Sequence, residues 1–294
     1  MGDSLAFRLA AILFPIFGIV AAGYFYARHH KPEMAVANRL NMDVFVPALV
    51  FAAMAGKSFD LVAYAPLALG GLLVLATCGL LAWPLARLLG IQPKTLVPPM
   101  LFNNSGNIGL PLAVLAWGDS ALPAAVILFM VENTLHFSFG ARLLDPTTRV
   151  LGLWRVPVLF AAIAGLAVAL LKISIWPPLL TAIKMLGDVS VPLLLFALGV
   201  RMTDVSFRDW RLALGCAVLR PLAGMLIAAG IIQLLGLQGR DAAMLFVFGA
   251  LPPAVLNFLF AERYKQEPQR VASIVLIGNL AALIFLPLAL AWVL

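Results

Sequence analysis

Apolar residues run along this chain in ten long blocks, at 5–27, 34–55, 61–89, 95–117, 121–142, 154–172, 177–201, 210–235, 240–262 and 270–293. Most of them reach the roughly 20 apolar residues that carry a helix across a bilayer. The polar stretches between them are short. The pattern predicts an all-α polytopic membrane protein with ten transmembrane helices and no room for a soluble domain. We number the blocks as spans one to ten. The first, within MGDSLAFRLAAILFPIFGIVAAGYFYARHH, lacks a basic leader and a small-residue cleavage site, so it reads as a retained span.

Composition sharpens this picture. Of 294 residues, 63% are hydrophobic and 11% charged, where soluble proteins carry roughly 25% charged residues. Net charge is +7, which in a soluble protein would suggest nucleic acid. Here 14 of the 20 Lys and Arg fall in the odd-numbered loops and five on the remaining flanks, with Arg220 inside a span. The positive-inside rule then puts the odd loops in the cytoplasm and both termini on the other side. The expected setting is a bacterial inner membrane, with lipid and not nucleic acid as the surroundings. Cys78 and Cys216 lie in apolar runs and read as small buried hydrophobes, not a disulfide.

The two halves repeat each other. Span two carries D-V-F-V-P-A-L-V-F-A from Asp43 and span seven D-V-S-V-P-L-L-L-F-A from Asp188, an offset of 145. Leu88-Leu-Gly-Ile-Gln92 recurs as Leu234-Leu-Gly-Leu-Gln238, and Asn133 as Asn279, both at an offset of 146. Pro15 and Gly23 match Pro157 and Gly165 more loosely. Each unit, 1–142 and 154–294 around a connector at 143–153, holds five spans. An odd number makes the second copy enter from the opposite face. That predicts an inverted-topology repeat, an architecture of many secondary transporters.

Two spans are interrupted in corresponding places. Span four contains Asn103, Asn104, Ser105, Gly106, Asn107 and Gly109 before Pro111. Asn, Ser and Gly favour non-helical backbone, and proline removes a helix hydrogen bond. Span nine has Gly249, Pro252, Pro253 and Asn257. Either these are kinked helices healed by side chains, or they unwind at mid-membrane. Unwinding would start new half-helices near Asn107–Gly109 and near Pro253. Helix starts carry free N–H groups and partial positive charge. Two of them meeting at mid-depth favour an anion.

These segments (NNSGNIGLPL, the Pro-Pro span followed by FAERY, and the paired D-V-x-V-P runs) resemble the auxin efflux carrier family, which includes bacterial malate- or malonate-type permeases. The resemblance spans nearly the whole chain. It extends more loosely to bile-acid-type sodium symporters. It implies a scaffold of spans one, two, six and seven. It also implies a transport domain of spans three to five and eight to ten, moving like an elevator, usually in a homodimer. By resemblance Asn103, Asn104 and Asn107, with Pro252 and Pro253, surround an organic carboxylate such as an auxin-like or malonate-like anion; Ser105, Asn257 and Arg220 complete the candidate set. No cofactor is implied beyond a coupling Na⁺ or H⁺. The long cytoplasmic loop of many plant members is missing, which favours the bacterial branch.

Ionisable residues inside spans supply the remaining chemistry. Glu132 sits near mid-depth beside Asn133, with His136 one turn on. Glu132 and Arg220 either pair as a structural ion bridge, or Arg220 meets the substrate while Glu132, with Asn133 and Asn279, takes Na⁺ or a proton. His136 reads as a polar packing residue rather than a relay. Asp43 and Asp188 each stand four residues before a proline, so each either steadies the kink or offers a cation or proton site towards the transport domain. No nucleophile–base set or metal-ligand motif is visible, so an enzyme is not expected. The expectation is a secondary transporter of small organic carboxylates. The alternatives are a sodium-coupled symporter or cation/proton exchanger on a related fold, and a channel.

Overall fold

The computed structural model describes residues 4–55, 61–148, 156–204 and 209–294. Lys57, Arg149, Arg155 and Arg208 of the charge pattern, and residues 149–153 of the connector expected at 143–153, lie outside the described residues. The longer helices are α1 (Leu5–His30), α2 (Ala35–Met54), α3 (Leu61–Leu88), α4 (Pro93–Leu101), α5 (Ser105–Trp117) and α6 (Asp119–Leu144). They continue as α7 (Pro157–Leu170), α8 (Pro177–Arg201), α9 (Trp210–Leu235), α10 (Gly239–Ala250), α11 (Leu256–Arg263) and α12 (Pro268–Val293). No strand occurs among the described residues. Among the described residues seven helices, α1, α2, α3, α6, α8, α9 and α12, are long and apolar enough to cross a bilayer. The chain is an integral membrane protein of all-α class.

Local sequence explains where helices begin and end. Ser4 caps α1 by accepting the Phe7 N–H at 3.3 Å. The helix closes with Lys31 at φ 45°, and Pro32 follows it. Gly236, at φ 63°, ends α9 in the left-handed conformation that glycine takes without strain. Within α2, Pro47 cannot donate to the carbonyl four residues back. The helix widens into a π-turn at Asn41–Phe45, with the Val46 N–H reaching the Asn41 carbonyl. The kink expected at Asp43–Pro47 is therefore this π-turn.

Two groups of helices pack most closely. In the first, α1 lies on α8, α7 lies on α2, and α2 meets α8. Small residues let backbones approach, as membrane packing requires. Gly23 of α1 abuts the Phe196 carbonyl of α8, and Gly165 of α7 abuts the Phe51 carbonyl of α2. In the second group, α3 packs on α4 and α6, and α9 on α10 and α12, with α3 against α9. Gly224 of α9 and Gly249 of α10 each press on the other's carbonyl, leaving no space for a Cβ.

Polar contacts mark two ends of the molecule. At one, Lys94 donates to the Leu144 carbonyl at 3.0 Å, Thr95 donates to Glu267 at 2.5 Å, and Arg270 pairs with Asp209 at 3.4 Å. At the other, Arg8 donates to the Leu294 carbonyl at 3.4 Å and Arg240 to Ser120 at 3.1 Å.

Candidate binding site at the crossing of two broken spans

Span four stops as a helix at Leu101 and resumes at Ser105; span nine stops at Ala250 and resumes at Leu256. Both are unwound, not kinked. The second starts differ slightly from expectation: α5 begins two residues before Asn107, and α11 three residues after Pro253. Pro252 and Pro253 stay in the extended stretch, because fixed φ and absent N–H groups suit a segment with few partners to offer.

The two breaks cross and satisfy each other. Asn103 and Pro253 form an antiparallel bridge. The Asn104 N–H donates to the Pro252 carbonyl at 2.7 Å, and the Ala254 N–H to the Phe102 carbonyl at 3.0 Å. Side chains complete the exchange. Asn103 Nδ2 donates to the Phe248 carbonyl at 2.8 Å, and Asn257 Nδ2 to the Phe102 carbonyl at 3.1 Å. Phe102 and Phe248 are themselves 146 positions apart. In hydrocarbon an unpaired backbone group costs several kcal/mol, so this reciprocal pairing is what permits the breaks.

Arg220 belongs to the same accounting. It is 1% exposed and donates through Nη1 to the Gly249 carbonyl at 2.6 Å. A cation at the last carbonyls of α10 complements the negative end of that helix. Arg220 therefore caps a half-helix and does not line the cavity at the crossing, and the first of the two readings, a Glu132–Arg220 ion pair, is not formed. Glu132 instead pairs with His136 Nδ1 at 2.9 Å. Its other oxygen accepts from Asn133 Nδ2 at 3.0 Å and Ser105 Oγ at 3.3 Å. His136 stacks on the Phe102 ring at 4.0 Å and touches Phe260 edge-on.

A cavity of about 200 Å³ lies between the crossing and the α2–α8 pair. Asn103, Asn104, Gly106 and Asn107 line it from span four, with Glu132 and Asn133 from α6. Val255 and Leu256, at the start of α11, face the same space. Asn104 Oδ1 accepts the Asn107 N–H at 3.3 Å, capping α5. Its Nδ2 donates to Asn279 Oδ1 at 2.8 Å, and Asn279 in turn donates to the Pro253 carbonyl at 3.0 Å. Two helix starts and five asparagine or glycine positions thus border one small space from this side. The positive ends of the two helices favour an anion. The volume lies below the roughly 300–1,000 Å³ of drug-sized sites, which suits a solute of few heavy atoms.

The remaining candidates sit elsewhere. Pro252, Pro253 and Asn257 are structural partners of the crossing, Ser105 bonds Glu132, and none of the four lines the cavity. Asn279 lines a second cleft with Ile108 and Tyr24. Asp43 and Asp188 are exposed, and neither lines the cavity at the crossing. Asn38, Asn41 and Arg201 line the cavity from α2 and α8 and were missed. The N-x-x-N spacing of Asn38 and Asn41 places both on one helical face, a signal the sequence carried. Arg201 passed as a loop charge because it ends its span.

The sequence is similar to those of known membrane transport proteins. A family model described as "Membrane transport protein" matches residues 142–290. A Rhizobium meliloti protein named "Putative malonate transporter" is 24% identical over 300 aligned positions, covering 93% of this chain and 92% of that protein. An "Uncharacterized transporter" of Methanothermobacter thermautotrophicus is 26% identical, covering 88% of each chain. "Auxin efflux carrier component 6" of Arabidopsis thaliana is 25% identical over 178 positions, 58% of this chain and 29% of the plant protein.

Proposed function

Because the chain belongs to the auxin efflux carrier family of membrane transport proteins, we propose that it carries small organic carboxylates across the membrane by alternating access. That it is a transporter and not an enzyme follows from the family; substrate and mechanism are our reading. The observation that carries it is the cavity in which two half-helix starts, with Asn104 and Asn107, converge. One carboxylate would sit against those helix ends and amides.

The architecture we propose has ten crossings in two inverted five-helix repeats, over 1–142 and 154–294. Paired contacts support it. The α1–α8 contact at Gly23 and Phe196 is repeated between α7 and α2 at Gly165 and Phe51. The polar contacts at the two ends also fit a chain that crosses ten times and begins its second half from the opposite face. In this reading α1, α2, α7 and α8 form the scaffold, and α3–α6 with α9–α12 the moving domain. The mutual pairing of the breaks makes that domain one rigid body, suited to an elevator motion. The exposed Asp43 and Asp188 stand mid-way along their helices, where lipid solvates charge badly. A second copy covering them, a homodimer, removes the conflict. Residence in a bacterial inner membrane with both termini outside completes the proposal.

Glu132 bears on coupling. An ionised carboxylate beside a bound anion repels it. Uptake of a proton or Na⁺ by Glu132, with Asn133 beside it, would neutralise the site as substrate enters. The test is transport by purified protein in liposomes. Saturable malonate flux that responds to a pH or sodium gradient is expected; unitary channel currents, or no carboxylate flux under any gradient, would overturn the proposal.

A further inference from the structure

The second cleft, beside Asn279, holds about 630 Å³ and lies between α1 and α8 on one side and α12 with the start of α5 on the other. Its walls are apolar over most of their length. Phe25, Leu280 and Leu283 line it and are exposed, so its mouth opens on the surface that the bilayer covers. Polarity gathers at one end. Arg28 stands there, one turn beyond Tyr24 on the same face of α1, with Thr203 just past the end of α8. Among the described residues Arg28 is the one charged side chain lining the cleft, and it forms no ion pair. Ile16 lines the cleft 12 residues before Arg28, which is about 18 Å along a helix rising about 1.5 Å per residue. Half of a hydrocarbon core about 30 Å thick is about 15 Å. The cleft is therefore an apolar slot one leaflet deep with a cation at its rim.

We propose that this slot holds an anionic phospholipid, with its phosphate at Arg28 and an acyl chain running between α1 and α12. A small soluble anion would leave the apolar walls uncovered, and a lipid without net charge would leave Arg28 without a counter-charge. Basic pockets between membrane helices select anionic headgroups on the same physical ground. The inner end of the slot reaches Ile108 and Asn279. Ile108 lies in the first turn of α5, and Asn279 bonds both Asn104 and the Pro253 carbonyl. An acyl chain seated there packs against the back of the crossing and supports the backbone that the two breaks share. The inference uses only the cleft and the membrane setting, and is independent of which solute is carried.

Native mass spectrometry reads retained lipid directly. The full chain in detergent is offered equal amounts of phosphatidylglycerol and phosphatidylcholine with matched acyl chains. One phosphatidylglycerol per chain should stay bound, at least fivefold over phosphatidylcholine. Arg28→Gln should bring that ratio within twofold of parity while still retaining a lipid. Arg87→Gln removes a helix-end cation that lines neither the cleft nor the cavity, and should leave the preference unchanged. Ala21→Trp places a large side chain in the slot and should abolish retention of both lipids; Leu283→Trp serves as a second filling variant should the first fail to fold. Glycerol 3-phosphate, which carries the phosphate without acyl chains, should not displace the lipid. No retained lipid, or no preference in the native protein, overturns the inference. So does a preference kept by Arg28→Gln, an equal loss in Arg87→Gln, or undiminished retention in a folded filling variant. Displacement by glycerol 3-phosphate overturns it too, in favour of a site for free phosphate esters.

Discussion

Asn104 makes three contacts at once, to the Asn107 N–H, to Asn279 and, through its own N–H, to Pro252. Asn104→Ala removes the two side-chain contacts and keeps the backbone one. It should weaken carboxylate binding about tenfold, an effect of about 1.4 kcal/mol, as read by calorimetry, and lower the melting temperature modestly. Arg220 should behave oppositely. Arg220→Met removes a charged hydrogen bond to a helix end, worth roughly 1.5–3 kcal/mol. A clear drop in melting temperature with ligand affinity within twofold of native is expected; lost affinity at unchanged stability would restore Arg220 to the binding site. At Glu132, the Gln variant keeps the shape but cannot gain or lose charge. Its malonate flux should lose dependence on the pH or sodium gradient while binding persists, as measured in liposomes. Residue by residue, Asn104 and Glu132 were legible in the sequence because polar groups in an apolar run are conspicuous. Arg220 was misread because sequence shows that a charge is buried but not which carbonyl it meets.

At the scale of elements, the breaks in spans four and nine were written plainly in Gly, Asn and Pro. What the sequence lacked was their partnership. The hydrogen bonds run between segments some 150 residues apart, and no local propensity encodes them. The half-helix starts were correspondingly misjudged by two or three residues, since tertiary pairing decides how much backbone stays extended. The π-turn in α2 was readable only as a kink, because proline deletes a bond without specifying how the helix responds. The close approach of Gly224 and Gly249 holds α9 on α10 just behind the crossing. Gly224→Ala forces backbone apart there and should cost on the order of 1–3 kcal/mol. Thermal denaturation should register that loss, while Gly230→Ala, which meets nothing within 4 Å, should be neutral or slightly stabilising.

At the scale of the whole molecule, the cavity lies between two helix groups rather than inside either. If those groups slide past each other during transport, a link across the cavity must stop it. Met42 on α2 and Leu256 on α11 both line that space. A Met42→Cys, Leu256→Cys double variant treated with a short bifunctional thiol reagent should lose nearly all malonate flux, and each single variant should keep it. Cys78 and Cys216 are buried, which limits background reaction. Fold class was the most legible feature, since run length alone carries it; of the ten spans expected, seven have a single helix among the described residues long and apolar enough to cross a bilayer. The proposed division into scaffold and moving domain came from the family resemblance alone, because run length does not say which helices move.

The reciprocal pairing of the two breaks also sets a problem for synthesis. Asn103 emerges from the ribosome about 150 residues before Pro253, which at roughly 5–20 residues per second is a wait of about 8–30 seconds. During that interval the first break holds orphaned amide groups that lipid does not tolerate. Nascent chains of this protein must therefore keep span four in a wet or protein-lined shelter at the insertion machinery, and release it only when its complement arrives.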